Sequence, residues 1–290
     1  MTSQIFALVF LAAVFHASWN LIAKRAASAG AAFVLAYRFS STVLLAPWVI
    51  YVLVVNGMAW SGTVVGFILL SSVIHLAYGL SLQRGYQVAD LSVVYPIGRG
   101  TGPVLASAGA YLWLGEDPSF SKIGGMLCVV AGVLLIATQG NWRIFSQARA
   151  WTGVRWGLLV GLLIACYTVA DAYSVKWLYI APVVLDWFCG LTITLIMAPT
   201  AWVRRQAVIQ QMQGKWRLAV AVGLLSPLGY ILVLYALQQG AQVSMIAPLR
   251  EMSLMIGTVA SFFILKEKVS AARLAGCLAI IAGVIALAQP

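Results

Sequence analysis

ADLSVVYPIGR, Ala89 to Arg99, and AQVSMIAPLR, Ala241 to Arg250, are two copies of one segment that differ in length by a single inserted residue, Gly98. Agreement between apolar residues is common by chance, but the pairing of Pro96 with Pro248 and of Arg99 with Arg250 is not. The match extends outward in both directions. At an offset of 152, Tyr78 meets Tyr230 and Ser92 meets Ser244. Past the insertion, at 151, Glu116 meets Glu267, Lys122 meets Arg273, Gly125 meets Gly276 and Gly132 meets Gly283. The chain is a duplication, with residues 1–142 as the first repeat and 143–290 as the second, and such self-similarity governs the fold before any local motif does.

Composition supplies the class. Of 290 residues 62% are hydrophobic and 9% charged, with mean hydropathy +0.96, which reads as an all-α integral membrane protein. A membrane-spanning helix needs about 20 mostly apolar residues. Ten such segments follow one another: Ile5 to Ala23, Ala31 to Val54, Val64 to Leu82, Leu91 to Leu114, Ile123 to Ala137, Gly153 to Val175, Val183 to Val203, Leu218 to Leu237, Val243 to Leu265 and Leu274 to Leu287. With five per repeat, an odd number, the second repeat enters the bilayer from the opposite side. The expectation is therefore ten transmembrane helices as two inverted five-helix repeats, an arrangement found in many secondary transporters with a site near the midplane. The opening MTSQIFALVFLAAVF lacks a basic leader and a small-residue cleavage pattern, and reads as a retained first span.

The formal charge of +11 does not indicate nucleic acid here, because in an integral protein a basic excess reports orientation. Of the 18 Lys and Arg, thirteen flank connections that follow odd-numbered spans, Lys122 and Lys176 lie on the other side, and Arg38, Arg99 and Arg250 fall within spans. This bias predicts that both termini of a multi-pass membrane protein face away from the cytoplasm. The four cysteines, Cys128, Cys166, Cys189 and Cys277, lie in apolar spans without metal-ligand spacing, so neither a metal nor another cofactor is expected.

Candidate site residues are those that lipid would reject. An arginine at mid-bilayer is disfavoured by about 2.5–3.5 kcal/mol on insertion scales, so Arg99 and Arg250 call for a use. Arg99 is read as facing substrate, while for Arg250 a structural pair with Glu251 or Asp171 stands beside that reading. Pro96, Gly98, Gly100 and Gly102 are expected to interrupt the helix and make Tyr95 to Pro103 a wall of the site. His16 and Asn20, one helical turn apart, are matched in the second repeat by Tyr167 and Asp171. Trp19, His75, Tyr78, Tyr95 and Tyr230 complete the set of polar and aromatic candidates, and Asp171 and Glu251 are candidate carriers of a coupling proton. Glu116 and Glu267, at span ends, suit structural pairing or gating, and the matched glycines suit close helix packing. Arg38 carries less weight, and Asp186, near a span start, reads as solvated.

LGEDPSFSKIGGMLCVVAGVLLI and LKEKVSAARLAGCLAIIAGVIAL, together with HASWNLIAK from His16, resemble the EamA-type members of the drug/metabolite transporter superfamily over essentially the whole chain. The most specific element is the duplicated glutamate followed by two glycines seven residues apart. The resemblance implies a bacterial inner-membrane carrier, its termini then periplasmic, that works by alternating access and exports amino acids or related metabolites, the aromatic amino-acid exporter branch among its relatives. It fits a small-molecule substrate, a lipid bilayer and a monomer, with proton coupling as one option. The alternatives are an exporter or flippase of another anionic or zwitterionic metabolite or drug and, from a different class, an intramembrane enzyme. The last is disfavoured because no HExxH or comparable catalytic motif is present.

Overall fold

Within a bilayer every backbone N–H and C=O must be satisfied inside the protein, so long apolar segments fold as helices. The computed structural model describes residues 2–146, 150–265 and 270–288, and among them the regular structure is entirely helical. The first half holds α1 (Ser3–Arg25), α2 (Gly30–Asn56), α3 (Gly62–Val88), α4 (Leu91–Trp113) and α5 (Phe120–Thr138). The second holds α6 (Ala150–Lys176), α7 (Pro182–Val203), the short α8 (Arg205–Met212), α9 (Trp216–Gln238), α10 (Val243–Leu249), α11 (Met252–Leu265) and α12 (Ala271–Ala288). Eight of these, α1, α2, α3, α5, α6, α7, α9 and α12, are long and apolar enough to cross a membrane. The chain is a multi-pass membrane protein. The two expected spans outside that set are the fourth and the ninth, the segments that carry Arg99 and Arg250.

Both depart from expectation, in opposite ways. The interruption expected at Pro96 does not occur, and α4 runs unbroken from Leu91 through Pro96 and Pro103 to Trp113. Its glycines serve close approach instead. A methyl group at Gly98 would stand 2.9 Å from a methyl carbon of Val160, and one at Gly102 would stand 3.0 Å from Ile164, so α6 lies directly on the glycine face of α4. The ninth span, expected as one helix from Val243 to Leu265, is two helices. After Pro248 the backbone tightens: Glu251 N bonds Pro248 O at 3.0 Å, Ser253 N bonds Arg250 O at 3.2 Å and Leu254 N bonds Glu251 O at 2.9 Å. Each of these bonds spans three residues instead of four, which ends α10 and starts α11 around Arg250 and Glu251.

Packing partners come in pairs related by exchange of the halves. α4 packs on α6 as α11 packs on α1, α3 on α6 as α9 on α1, and α3 on α7 as α9 on α2. Three contacts are their own counterparts: α2 with α7, α4 with α10, and α5 with α12. The matched glycines make the last of these. A methyl at Gly132 would stand 2.6 Å from the carbonyl oxygen of Gly276, and one at Gly276 would stand 2.8 Å from that of Gly132. Gly125 and Gly283 repeat the relation at 2.9 and 2.6 Å. Backbone rests on backbone, the contact by which membrane helices associate when lipid removes the hydrophobic driving force. Both helices begin alike, with Ser119 Oγ accepting from Lys122 N and Ser270 Oγ accepting from Arg273 N, each at 3.3 Å.

Because no small movement can admit a side chain against a facing backbone, Gly276→Leu should lower the stability of the purified protein by about 1–3 kcal/mol or prevent assembly. Gly124→Leu, where the added carbon meets nothing within 4 Å, should unfold at the wild-type temperature in the same detergent melt.

Candidate substrate-binding site

Most hydroxyls in the apolar spans are already spent on their own helices. Thr101 donates to Ile97 O, Ser107 to Pro103 O and Thr194 to Gly190 O, at 2.7 to 2.8 Å. The charged groups organise the site instead. Among the described residues four carboxylates are buried: Glu116, Asp171, Asp186 and Glu251.

Glu251 takes Arg99. Its Oε2 lies 2.8 Å from Arg99 Nε, in a pair held by charge more than by hydrogen-bond alignment. The other guanidinium nitrogens of Arg99 donate to His16 Nε2 at 3.2 Å and Ser253 Oγ at 3.1 Å. A guanidinium only donates, so His16 Nε2 carries no proton and His16 is neutral in this arrangement. The cluster joins α1 and α4 of the first half to the α10–α11 turn of the second.

Asp171, 1% exposed, takes the second set. Its Oδ2 accepts from Tyr230 OH at 2.5 Å and lies 3.1 Å from His75 Nε2. Tyr167 stacks on His75 with ring centroids 4.1 Å apart, and Tyr78 meets Tyr167 edge-on at 5.6 Å. Sequence matching had aligned His16 with Tyr167 and Tyr78 with Tyr230, and all four rings converge.

Glu116 takes the third. It accepts from Val243 N at 2.5 Å, from Ser244 N at 3.0 Å and from Ser244 Oγ at 2.7 Å, with Lys176 Nζ 3.6 Å away. A first-half carboxylate thus caps the N-terminus of a second-half helix, where orphan N–H groups and the helix dipole favour an anion. This is the structural pairing expected of Glu116. Its repeat partner Glu267 lies outside the described residues.

Between these clusters is a cavity of about 90 Å³. The first half supplies His16, Trp19, Tyr37, Arg38, His75 and Tyr78, and the second supplies Tyr167, Asp186, Ser226, Tyr230 and Arg250. Arg250 stands over the Tyr230 ring, its guanidinium carbon 5.5 Å from the centroid, and among the described residues no carboxylate lies within ion-pair distance of it. Of the residues singled out in the sequence, Trp19, His75, Tyr78, Tyr167, Tyr230 and Arg250 share this wall. Asp171 stands one layer behind, bonded to two of them. Arg99 and Glu251 engage each other off the wall, and Tyr95 is also off it. Asn20 donates its amide to His16 O of its own helix at 2.7 Å. Sequence reasoning passed over Tyr37 and Ser226, and it underweighted Arg38 and Asp186. For Arg38 the signal was present, a charge within a span. For Asp186 it was not, because only the assembled bundle covers the first turns of α7.

Apolar helices in two exchangeable halves around a cavity lined by aromatic and polar side chains form the architecture of a membrane carrier. The EamA-like transporter family matches the chain twice, over residues 4–138 and 151–289, and the chain belongs to that family, membrane transporters of the drug/metabolite transporter type. A solved crystal structure shares the fold, with a TM-score of 0.76 at 14% identity over 99% of this chain and 97% of its own. Among curated proteins there is no significant match.

Removing one member of a buried ion pair leaves the other uncompensated, at about 3–5 kcal/mol, whereas replacing both with apolar residues is often neutral. Glu251→Ala should therefore destabilise the purified protein strongly, and Arg99→Met with Glu251→Met should recover most of the loss in the same thermal melt.

Proposed function

We propose that this protein is a secondary carrier of the bacterial inner membrane, ten spans in two inverted five-helix halves, that exports small carboxylate-bearing metabolites, amino acids first among them, by alternating access. One observation carries the reading: Arg250 presents a half-buried guanidinium to the cavity, and among the described residues no carboxylate lies within ion-pair distance of it. A charge at that depth is expensive unless it meets an opposite one, and a guanidinium matches a carboxylate through two parallel hydrogen bonds. The substrate supplies the missing partner. The aromatic rings of Trp19, Tyr78, Tyr167 and Tyr230 hold its apolar part.

Size narrows the substrate. A cavity of about 90 Å³ favours small ligands, small amino acids among them. An aromatic amino acid needs the halves to part further.

The exchange-related packing supports inversion, because five spans per half, with α10 and α11 counted as one and the eight-residue α8 as none, reverse the entry side. With that inversion, the Glu116 cluster joins loop ends on one face, those of α4, α6 and α10. A second hollow of about 40 Å³ shares Tyr37, Arg38, His75 and Tyr78 with the cavity and leads past Ala31, Gln83 and Met197 toward the other face, where the basic connections lie. By the positive-inside rule that face is cytoplasmic, and the conformation is one closed to the periplasm by Glu116. Asp171 is the candidate carrier of a coupling proton, reached from the cavity through His75 and Tyr230. A transport rate indifferent to collapse of the proton gradient would remove that coupling.

The test is counterflow in proteoliposomes. The wild type should exchange unaltered amino acids with saturation, which separates a carrier from a channel or an enzyme. Arg250→Gln should slow exchange by roughly 30-fold or more, the effect of losing about 2 kcal/mol or more from a desolvated charge pair, with folding retained. Wild-type exchange in that variant would overturn the assignment.

A further inference from the structure

Of the four buried carboxylates among the described residues, Glu116, Asp171 and Glu251 each have a hydrogen-bond or ion-pair partner, and Asp186 has none at such distance. It lies in the second turn of α7, 5% exposed, on the cavity wall. Among the described residues it makes no side-chain hydrogen bond, no cation stands within ion-pair distance of it, and its Oδ2 is sealed with nothing to bond. Arg38, on the neighbouring α2, lines the same cavity but engages the ring of Tyr37 at 5.5 Å instead of closing on Asp186. Among the described residues, one wall thus carries a guanidinium with no carboxylate at ion-pair distance, Arg250, and a carboxylate with no cation at that distance, Asp186. A buried carboxylate without a partner is as unfavourable as a buried cation, and a single ligand bearing both charges satisfies both groups.

We propose that Asp186 is the specificity residue that binds the ammonium of the substrate, so that the site selects zwitterions over simple carboxylates. The proposal rests on the reading of Arg250 as the carboxylate-binding group and adds the second point of attachment. Two-point recognition has a direct chemical consequence. An analogue that keeps the carboxylate and lacks the amine leaves Asp186 buried and unmatched, and such analogues are rejected more strongly than those lacking a methylene. The competing role for Asp186 is a counterion to Arg38 through an intervening water.

Matched pairs separate these roles: alanine with propionate, leucine with 4-methylpentanoate, and phenylalanine with 3-phenylpropanoate, each assayed by counterflow in proteoliposomes. The wild type should prefer the amino acid in every pair it transports. Asp186→Asn should reduce amino-acid exchange by at least about tenfold while leaving the deaminated acid unchanged or faster, so that the preference collapses. Retention of the wild-type preference by Asp186→Asn overturns the proposal and leaves Arg250 untouched. Equal slowing of both members, with recovery of both in Arg38→Gln plus Asp186→Asn, also overturns it and marks Asp186 as the counterion of Arg38. If Asp186→Asn does not fold, the wild-type ratio decides alone: deaminated acids exchanged as well as their amino acids refute ammonium recognition. A wild type that exchanges neither member of any pair removes the carboxylate reading as well.

Discussion

The Arg99–Glu251 ion pair determines what the rest of the interior can do. The duplication placed one guanidinium in each half at matched positions, yet the second half alone follows its arginine with an acid. That acid does not serve its neighbour. Successive residues around the α10–α11 turn point in different directions, and Glu251 reaches across to the arginine of the other half at 2.8 Å. The pair ties the halves together through Arg99, with His16 and Ser253 completing its shell. The same act leaves Arg250 with an aromatic ring beneath it and open cavity in front of it. Structure consumes one of two equivalent charges, and the other is available for chemistry.

Much of this was legible in the sequence because duplication amplifies weak signals. Arginine, proline, tyrosine and glycine matched across 151 or 152 residues cannot be accidents of apolar composition, and the glycines do lie backbone to backbone between α5 and α12. The aromatic and polar candidates of the first and third spans of each half, Asn20 excepted, also converge. What the sequence could not disclose was partnership. Glu251 adjoins Arg250 in the chain but pairs with Arg99 in space, and nothing local distinguishes those outcomes. Asp186 reads as interfacial because it lies near a span start, and its burial follows only from the bundle built over it. The two prolines gave the opposite lesson. Pro96 sits in a helix clamped along its glycine face by α6 and does not break it, whereas Pro248 precedes a tightened turn that divides its helix.

The halves are alike in packing and unlike in charge, and that asymmetry is where a transport cycle can act. Glu116 caps α10 with three hydrogen bonds and holds Lys176 nearby, an arrangement that must loosen for the halves to separate on that face. Alternating access needs contacts strong enough to define a closed state and local enough to release. The long glycine contact of α5 with α12 suits a fixed axis, and the Glu116 cap suits a contact that breaks. Ligand binding can bias the two conformations only through contacts that differ between them. Arg250 lies on the short turn between α10 and α11, at the far end of the helix that Glu116 holds.

The most direct measurement is an experimental structure with a transported amino acid bound. The ligand carboxylate should lie within hydrogen-bond distance of the Arg250 guanidinium, with Arg99 still paired to Glu251. A carboxylate seated on Arg99, with Glu251 released and Arg250 held by a protein acid, would contradict the division of labour between the two arginines.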